Sequence, residues 1–258
     1  MKRLFKNFLK YRYLLRELIK KDIKLKYRRS YLGILWTLLE PLFTMIVLTL
    51  VFSGFYGKSD KTFPVYILTG RLLFTFFSNS TKAATKSIRS NAGMIKKVYV
   101  PKYIYPISTI CSNFIFFLIS LIVLVAVALV LGVYPTKYVF FAIVPILNLL
   151  VMTLGVGLML ATFSVFFRDM EYLWGIVLTL IMYCCAIFYE PKRVIKTGFG
   201  WILEINPLYW VIENFRDAVF GRPLDMRAFA FSTTFACVTL VLGVLVFYKQ
   251  QDKFILNI

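Results

Sequence analysis

Histidine is absent from the 258 residues of the sequence, and only 12 acidic residues stand against 31 lysines and arginines. Histidine is the commonest metal ligand and the usual general base at neutral pH, so its absence argues against many metalloenzymes and acid–base catalysts. No cysteine has the CxxC spacing of redox or zinc sites. All four lie inside apolar runs, which is typical of small buried residues: Cys111, Cys184, Cys185 and Cys237.

Short catalytic motifs are also missing. The sequence has no phosphate-binding P-loop, no GxSxG nucleophile turn and no HExxH zinc motif. It lacks the clustered carboxylates expected of a membrane-embedded transferase, and it has no inverted repeat of the kind that builds common secondary transporters. We therefore expect no catalytic residue, no metal site and no bound cofactor on this chain.

Long apolar runs dominate what is present. The chain is 60% hydrophobic, with a mean hydropathy of +0.75, which is more than a soluble domain of this length needs. The pattern predicts an all-α integral membrane protein with six transmembrane helices. Gly155 and Gly157 would allow close helix packing in the fourth run. The six runs cover residues 31–55, 63–80, 104–133, 138–167, 173–189 and 228–248.

The basic residues flank these runs, so the net charge of +19 indicates topology and contact with anionic membrane lipid, and no nucleic acid partner is expected. Residues 1–30 carry twelve lysines and arginines and have apolar residues at spacings of three and four. This pattern predicts an amphipathic helix on the cytoplasmic membrane surface, with a solvated basic tail as the alternative. The remainder, residues 31–258, forms the six-span domain, with both termini cytoplasmic.

Two charged residues interrupt the apolar runs. Glu40 precedes Pro41 one turn inside the first run, and Arg71 lies in the second. A charge in the middle of a membrane costs roughly 2.5–3.5 kcal/mol, so such residues rarely face lipid. Glu40 either reaches interfacial water or has a packing or pathway role. Arg71 either extends to the interface or faces a wet cavity.

Two connecting segments are too long to be simple turns. Residues 81–102 are polar and basic, and residues 90–101 suggest a short helix that ends at Pro101. Residues 190–227 contain two half-apolar stretches, 194–203 and 208–220, each too short to cross a bilayer of about 30 Å. They predict an extracytoplasmic re-entrant helix pair between spans five and six, with a surface-lying loop as the alternative.

Four stretches together resemble the membrane subunits of type-2 ABC transporters that export lipid-linked polysaccharide, namely O-antigen, capsule or wall teichoic acid. The resemblance covers nearly the whole chain. The stretches are DIKLKYRRSYLGILWTLLEPLFTMIVLTLVFS, FFSNSTKAATKSIRSNAGMIKKVYVPKYIYPIS, FSVFFRDMEYLW and INPLYWVIENFRDAVFG.

The resemblance implies a permease that works as a homodimer with two copies of a separate cytoplasmic ATPase, which would hold the ATP and magnesium. The substrate would be a polymer on an undecaprenyl-type diphosphate lipid, exported across the cell membrane. The main alternative is a permease for a drug, a lipid or a small glycolipid. A membrane-embedded transferase and a non-transporting scaffold of a wall-synthesis complex are further alternatives.

Candidate site residues follow from the resemblance and from the charge and aromatic pattern. Contacts with the ATPase are expected at Asn91, at Ile95, Lys96, Lys97 and Val98, which would lie in an ATPase groove, and at Arg168 and Asp169. The re-entrant segment would carry Asn206, Pro207, Trp210 and Arg216. The substrate path would include Glu40, Arg71, Tyr183, Phe188 and Tyr189.

Glu40 and Arg71 depart from the family pattern. Many members have Asn or Gln before the proline and an apolar residue at the Arg71 position. Arg71 would therefore either meet an anionic group, such as the lipid diphosphate or an acidic sugar, or pair with Glu40 across the helices.

Overall fold

The structure, a computed structural model, describes residues 10–28, 32–56, 62–98 and 100–257, and the regular structure in these ranges is helical. Short 3₁₀ segments, Gly33–Leu35, Lys137–Ala142 and Gln251–Lys253, precede α2, α6 and α12. The α-helices are α1 (Arg12–Tyr27), α2 (Trp36–Tyr56), α3 (Phe63–Ser90), α4 (Ala92–Lys97), α5 (Ile104–Val130), α6 (Ile143–Phe166), α7 (Met170–Tyr183), α8 (Pro191–Lys196), α9 (Gly200–Ile205), α10 (Pro207–Val219), α11 (Met226–Gln250) and α12 (Phe254–Asn257).

Four of the segments described are long and apolar enough to cross a membrane, so the chain is a multi-pass membrane protein. The runs predicted at 63–80 and 173–189 also form helices, α3 and α7. However, α3 is more polar than the other long helices, and α7 has only 14 residues. The four candidate spans are Gly33–Phe52, Ile104–Val130, Lys137–Phe166 and Met226–Lys253.

Helix α3 lies at the centre of the bundle, in contact with α2, α5, α6, α7 and α10. Its buried hydroxyl groups bond to carbonyls one turn earlier, as in Thr81 to Phe77 at 2.8 Å and Thr85 to Thr81 at 2.7 Å. Because other helices surround α3, its polar residues do not need to face lipid. The helix continues to Ser90, so the predicted end of this run at residue 80 was wrong.

Helices α6 and α11 approach each other closely at two glycines. A β-carbon built on Gly155 would lie 2.4 Å from the carbonyl carbon of Thr239, and one on Gly243 would lie 2.3 Å from the Gly155 oxygen. A β-carbon on Gly157 would come within 2.7 Å of Ile110 Cδ1. The predicted close packing at Gly155 and Gly157 is confirmed; at Gly155 it depends on backbone contact, whereas Gly157 packs against the side chains of Ile110 and Ala84.

Replacing Gly155 by leucine is expected to separate α6 from α11 and to destabilise the chain by about 3 kcal/mol, since the clash is with backbone. The measurement is thermal unfolding of the purified protein in detergent. Gly175→Leu is the matched control, because nothing lies within 4 Å of a β-carbon at that helical position. Equal unfolding temperatures for the two variants would contradict the prediction.

The short helices differ in part from the expected ones. The stretch predicted as one helix at 194–203 is two helices, α8 and α9, because Gly198 adopts a φ of +82° that ends the first. The second predicted helix, 208–220, corresponds to α10. Residues 1–9 and 29–30 of the predicted N-terminal helix lie outside the described ranges, and α1 covers Arg12–Tyr27.

Candidate functional site

A buried cluster at one end of the bundle joins short helices to long ones, and we call it the end core. It combines side chains from α1, α3, α4, α5, α6, α11 and α12. A cluster drawn from so many elements couples their positions, because displacing one of them opens a cavity against the others. Its members are Leu18, Ile88, Ile95, Ile104, Tyr105, Leu158, Ala161, Val165, Phe247 and Phe254.

One of the predicted ATPase-contact residues on helix α4, Ile95, faces the interior of the bundle. Its side chain is only 7% exposed and packs in the end core, which does not match its expected place in an ATPase groove; the contact of the segment with the ATPase stays a prediction. Its neighbours Lys96, Lys97 and Val98 are exposed. The Asn91 amide donates to the Ser87 carbonyl at 2.8 Å, which fixes the joint between α3 and α4.

The turn between α6 and α7 lies beside the end of α3. Glu171 is 3.2 Å from Lys86 and 4.0 Å from Arg89, and Arg89 also donates to the Ser164 carbonyl. These half-exposed ion pairs add little stability, but they set the position of the turn. Arg168 and Asp169 in that turn are exposed. We call the exposed residues at this end the end surface: Met94, Lys96, Lys97, Val98, Arg168 and Asp169.

Helix α1 packs against α5 with its apolar stripe. Leu18 enters the end core, and Asp22 accepts a hydrogen bond from Ser112 at 3.4 Å. Burial raises the pKa of the Asp22 carboxyl, and the bond from Ser112 opposes the rise. The opposite face of the helix is basic and exposed, so the stripe predicted to face a membrane surface is at least partly covered by the protein itself.

Glu40 and Arg71 both line a pocket between α1, α2, α3 and α5, which we call the flank pocket. Lys26 of α1 also lines it, with its Nζ 3.9 Å from the centre of the Phe116 ring. Burial lowers the pKa of Lys26, and the charge of Glu40 opposes this. Throughout the described residues, no ion pair within 4.0 Å joins Glu40 to Arg71.

The three aromatic residues proposed for the substrate path do not share one environment. Tyr183, at the end of α7, is 58% exposed, whereas Phe188 is 7% exposed and stacks on Phe52 with 5.4 Å between ring centres. Tyr189 is partly buried, and its hydroxyl donates to the Tyr183 carbonyl. Of the three, Tyr183 is the residue with a ring open to a ligand.

Arg216 is buried in a polar network that connects α10 to α3 and to the turn after α7. Its Nη1 donates to Glu213 at 2.6 Å and to the Tyr66 hydroxyl at 2.8 Å, and its Nη2 donates to the Ala186 carbonyl at 3.1 Å. The Tyr66 hydroxyl donates in turn to the Tyr189 carbonyl at 2.9 Å. These contacts occupy both Nη atoms of the guanidinium within the chain and assign Arg216 to holding the helices together.

The other residues predicted for the re-entrant segment also have local partners. Asn206 caps α10, since its Oδ1 accepts from the Leu208 amide at 3.1 Å, and its Nδ2 donates to the Cys184 carbonyl at 3.0 Å. Pro207 is the first residue of α10. Trp210 donates to the Glu204 carbonyl at 2.7 Å, which connects α10 to α9.

The family model described as ABC-2 type transporter matches residues 13–220. The chain belongs to this family. It is 27% identical over 256 residues to the O-antigen export system permease protein RfbA of Myxococcus xanthus, covering 98% of each chain. It is 27% identical over 235 residues to the RfbA of Klebsiella pneumoniae, covering 91% of this chain and 90% of the relative. Over 248 residues it is 27% identical to the polysialic acid transport protein KpsM of Escherichia coli, covering 92% and 93%.

Two residues of this ABC-2 family chain were missed by sequence reasoning. Tyr66 looks like an ordinary aromatic residue in an apolar run, and nothing in the sequence indicates that Arg216 bonds to it across 150 positions. Glu171 was not among the predicted site residues, although it lies three residues beyond Arg168 and pairs with Lys86 and Arg89. A search for charges opposite to those on α3 would have singled out Glu171.

Proposed function

We propose that this chain is the permease subunit of an ATP-driven exporter that moves a polysaccharide linked to an undecaprenyl-type diphosphate lipid out of the cytoplasm. The observation that carries the proposal is the match over nearly the full length to O-antigen export permeases. The exposed basic end surface adds support, because a permease without an ATP site of its own needs a surface through which an ATPase can act on it.

In this proposal, two copies form the pore and two copies of a separate ATPase bind the end surfaces. The proposed topology has six spans, α3 and α7 included, with the N- and C-termini in the cytoplasm. The concentration of basic residues before α2 and around α4 supports this orientation. Helices α8, α9 and α10 form the re-entrant segment on the outer side.

The test is reconstitution of the permease with its ATPase in vesicles, followed by export of radiolabelled lipid-linked polysaccharide. We expect export that requires both proteins and ATP. Selective export of an amphiphilic drug instead of the polymer would favour a drug permease. A purified chain that modifies a glycolipid without an ATPase would overturn the proposal.

Charge reversal at Lys96 and Lys97 is expected to uncouple the two proteins. With both residues changed to glutamate, the variant should insert normally but export at most about one tenth of the wild-type amount, because the exposed cations contact the ATPase. The control is Lys192→Glu with Lys196→Glu on α8, which is also short and basic. Unchanged export in the first double variant would remove α4 from the coupling role.

A further inference from the structure

The flank pocket contains an arginine that has no ion-pair partner within 4.0 Å among the described residues, although Glu40 attracts it from farther away. Arg71 lines the pocket, and its hydrogen-bond contact in the described residues is a weak one, from Nη1 to the Met182 sulfur at 3.6 Å. A guanidinium carries five donors and matches phosphate or carboxylate oxygens. A charge held inside a membrane bundle is costly unless an anion accompanies it. An anionic ligand would therefore complete the set of partners of the Arg71 guanidinium.

The remaining lining of the pocket is suited to a phosphate head group. Lys26 adds a second cation from α1, and Asn79 adds an exposed amide two turns beyond Arg71 on α3. Glu40 is the one carboxylate among the lining residues, and it is exposed at the side of α2. The pocket has a volume of about 60 Å³ and is open on one side, so a head group bound there would remain partly outside it. Its cations outnumber its carboxylate by one.

A separate apolar groove lies farther along the same two helices, α2 and α5. The pocket ends at Thr44 on α2 and Ser120 on α5, and the groove begins at Met45 on α2 and Ala126 on α5. Apart from Thr49, its lining is apolar: Met45, Ile46, Leu50, Pro64, Ala126, Val127, Val130 and Leu131. A charged pocket followed along the same helices by an apolar groove matches a molecule with an anionic head and a hydrocarbon chain.

We infer that the flank pocket and the groove beside it bind a lipid with a phosphate or diphosphate head group, with the head at Arg71 and Lys26 and the chain between α2 and α5. The inference deepens the proposed function, on which it rests for the presence of such a lipid as substrate. Because α1 forms one wall of the pocket and also enters the end core, a bound head group contacts a helix that packs in the end core.

The inference is tested by binding, in the absence of ATPase, to the purified full chain in zwitterionic detergent. Thermal unfolding is followed with increasing polyprenyl diphosphate, polyprenyl monophosphate, uncharged polyprenol or inorganic pyrophosphate. We expect saturable stabilisation by the phosphorylated lipids and at least about tenfold weaker binding of polyprenol and pyrophosphate, which each lack one half of the ligand. If polyprenol bound as tightly as the phosphorylated lipids, the cations would have no role in binding. If pyrophosphate bound as tightly as those lipids, the groove would have no role.

Variants assign the binding to the pocket. Arg71→Met is expected to weaken diphosphate-lipid binding about tenfold or more, because a charge-assisted contact to phosphate is lost. Arg227→Met is the control, since Arg227 is an exposed arginine at the start of α11, away from the pocket. Glu40→Gln is expected to bind the lipid at least as tightly as the wild type. Equal affinities for Arg71→Met and Arg227→Met would overturn the inference.

Two further comparisons keep the result unambiguous. If Arg71→Met does not fold, Lys26→Met replaces it, because Lys26 lies on the exposed side of α1, and a several-fold loss of affinity is expected. An unchanged affinity in Lys26→Met would then count against the site. Polysaccharide export by a wild-type chain that does not bind the lipid in this assay would overturn the pocket and leave the proposed function intact. Lipid binding without any ATP-driven export would overturn the proposed function and leave the pocket intact.

Discussion

Replacing Arg216 by methionine is expected to destabilise the folded chain by about 3–5 kcal/mol, the cost typical of breaking a buried charge pair. Arg216 is 2% exposed and donates to Glu213, Tyr66 and Ala186. Methionine fills similar space but leaves the Glu213 carboxylate, which is 22% exposed, without its partner. The expected readout is a large drop in the unfolding temperature of the protein in detergent, and loss of export.

The arrangement of the donor groups matters as much as the positive charge. Arg216→Lys is therefore expected to be more stable than Arg216→Met but less stable than the wild type. A lysine can pair with Glu213 but cannot donate to Tyr66 and Ala186 at the same time, because it lacks the planar fork of donors. Gly70→Ala tests the same packing from α3, since a β-carbon there would lie 2.7 Å from Arg216 Nη2. Arg227→Met, at an exposed position, is the control. An unfolding temperature for Arg216→Met within error of that control would contradict the structural role.

The Arg216 network shows what sequence could and could not predict in the outer segment. The helix at 208–220 was predictable, because Asn206 and Pro207 form a standard helix start and the apolar residues recur at helical spacing. The partners of Arg216 were not predictable, because they lie on α3 and in the turn after α7. That turn includes Ala186 at a φ of +48°, which local sequence preferences disfavour.

The positions of the long helices were predicted best where an apolar sequence coincides with exposure to lipid. The runs at 104–133 and 228–248 correspond to α5 and α11 within a few residues. The prediction failed at the end of α3, where Thr81, Thr85 and Ser87 resemble a polar loop in sequence but are buried helical residues. Hydropathy reports contact with lipid, whereas these hydroxyls contact other helices and bond to their own backbone.

The short helix predicted in the segment 81–102 is present, and one of its side chains, Ile95, faces the bundle. Sequence placed a short helix between residues 90 and 101, and α4 occupies Ala92–Lys97. With six residues, the helix has too few turns for its spacing to show which side faces the bundle. The end core decides it, because Ile95 packs against side chains contributed by distant helices, among them Leu18 and Phe254.

Replacing Ile95 by aspartate is expected to detach α4 from the bundle and to reduce export at least about tenfold. The substitution removes an apolar side chain from the end core and places a carboxylate there, a combined local cost of about 3 kcal/mol or more. In the proposed coupling, the exposed lysines of α4 remain available to the ATPase, but a detached helix would no longer transmit force to α3. Export is measured in the reconstituted vesicles, and the ATPase bound is measured by co-purification.

Trypsin distinguishes this detachment from a loss of surface charge. When α4 separates from the end core, its backbone at Lys96 and Lys97 opens to the protease, because cleavage requires local unfolding. Cleavage after these lysines is therefore expected to be about tenfold faster in Ile95→Asp than in the wild type. Val98→Asp is the matched control, since Val98 is 55% exposed and adds the same charge three residues away without entering the core. Equal cleavage rates in the two variants would show that Ile95 does not hold α4 in place, and the transmission of force would then have to run through the Glu171 contacts to α3.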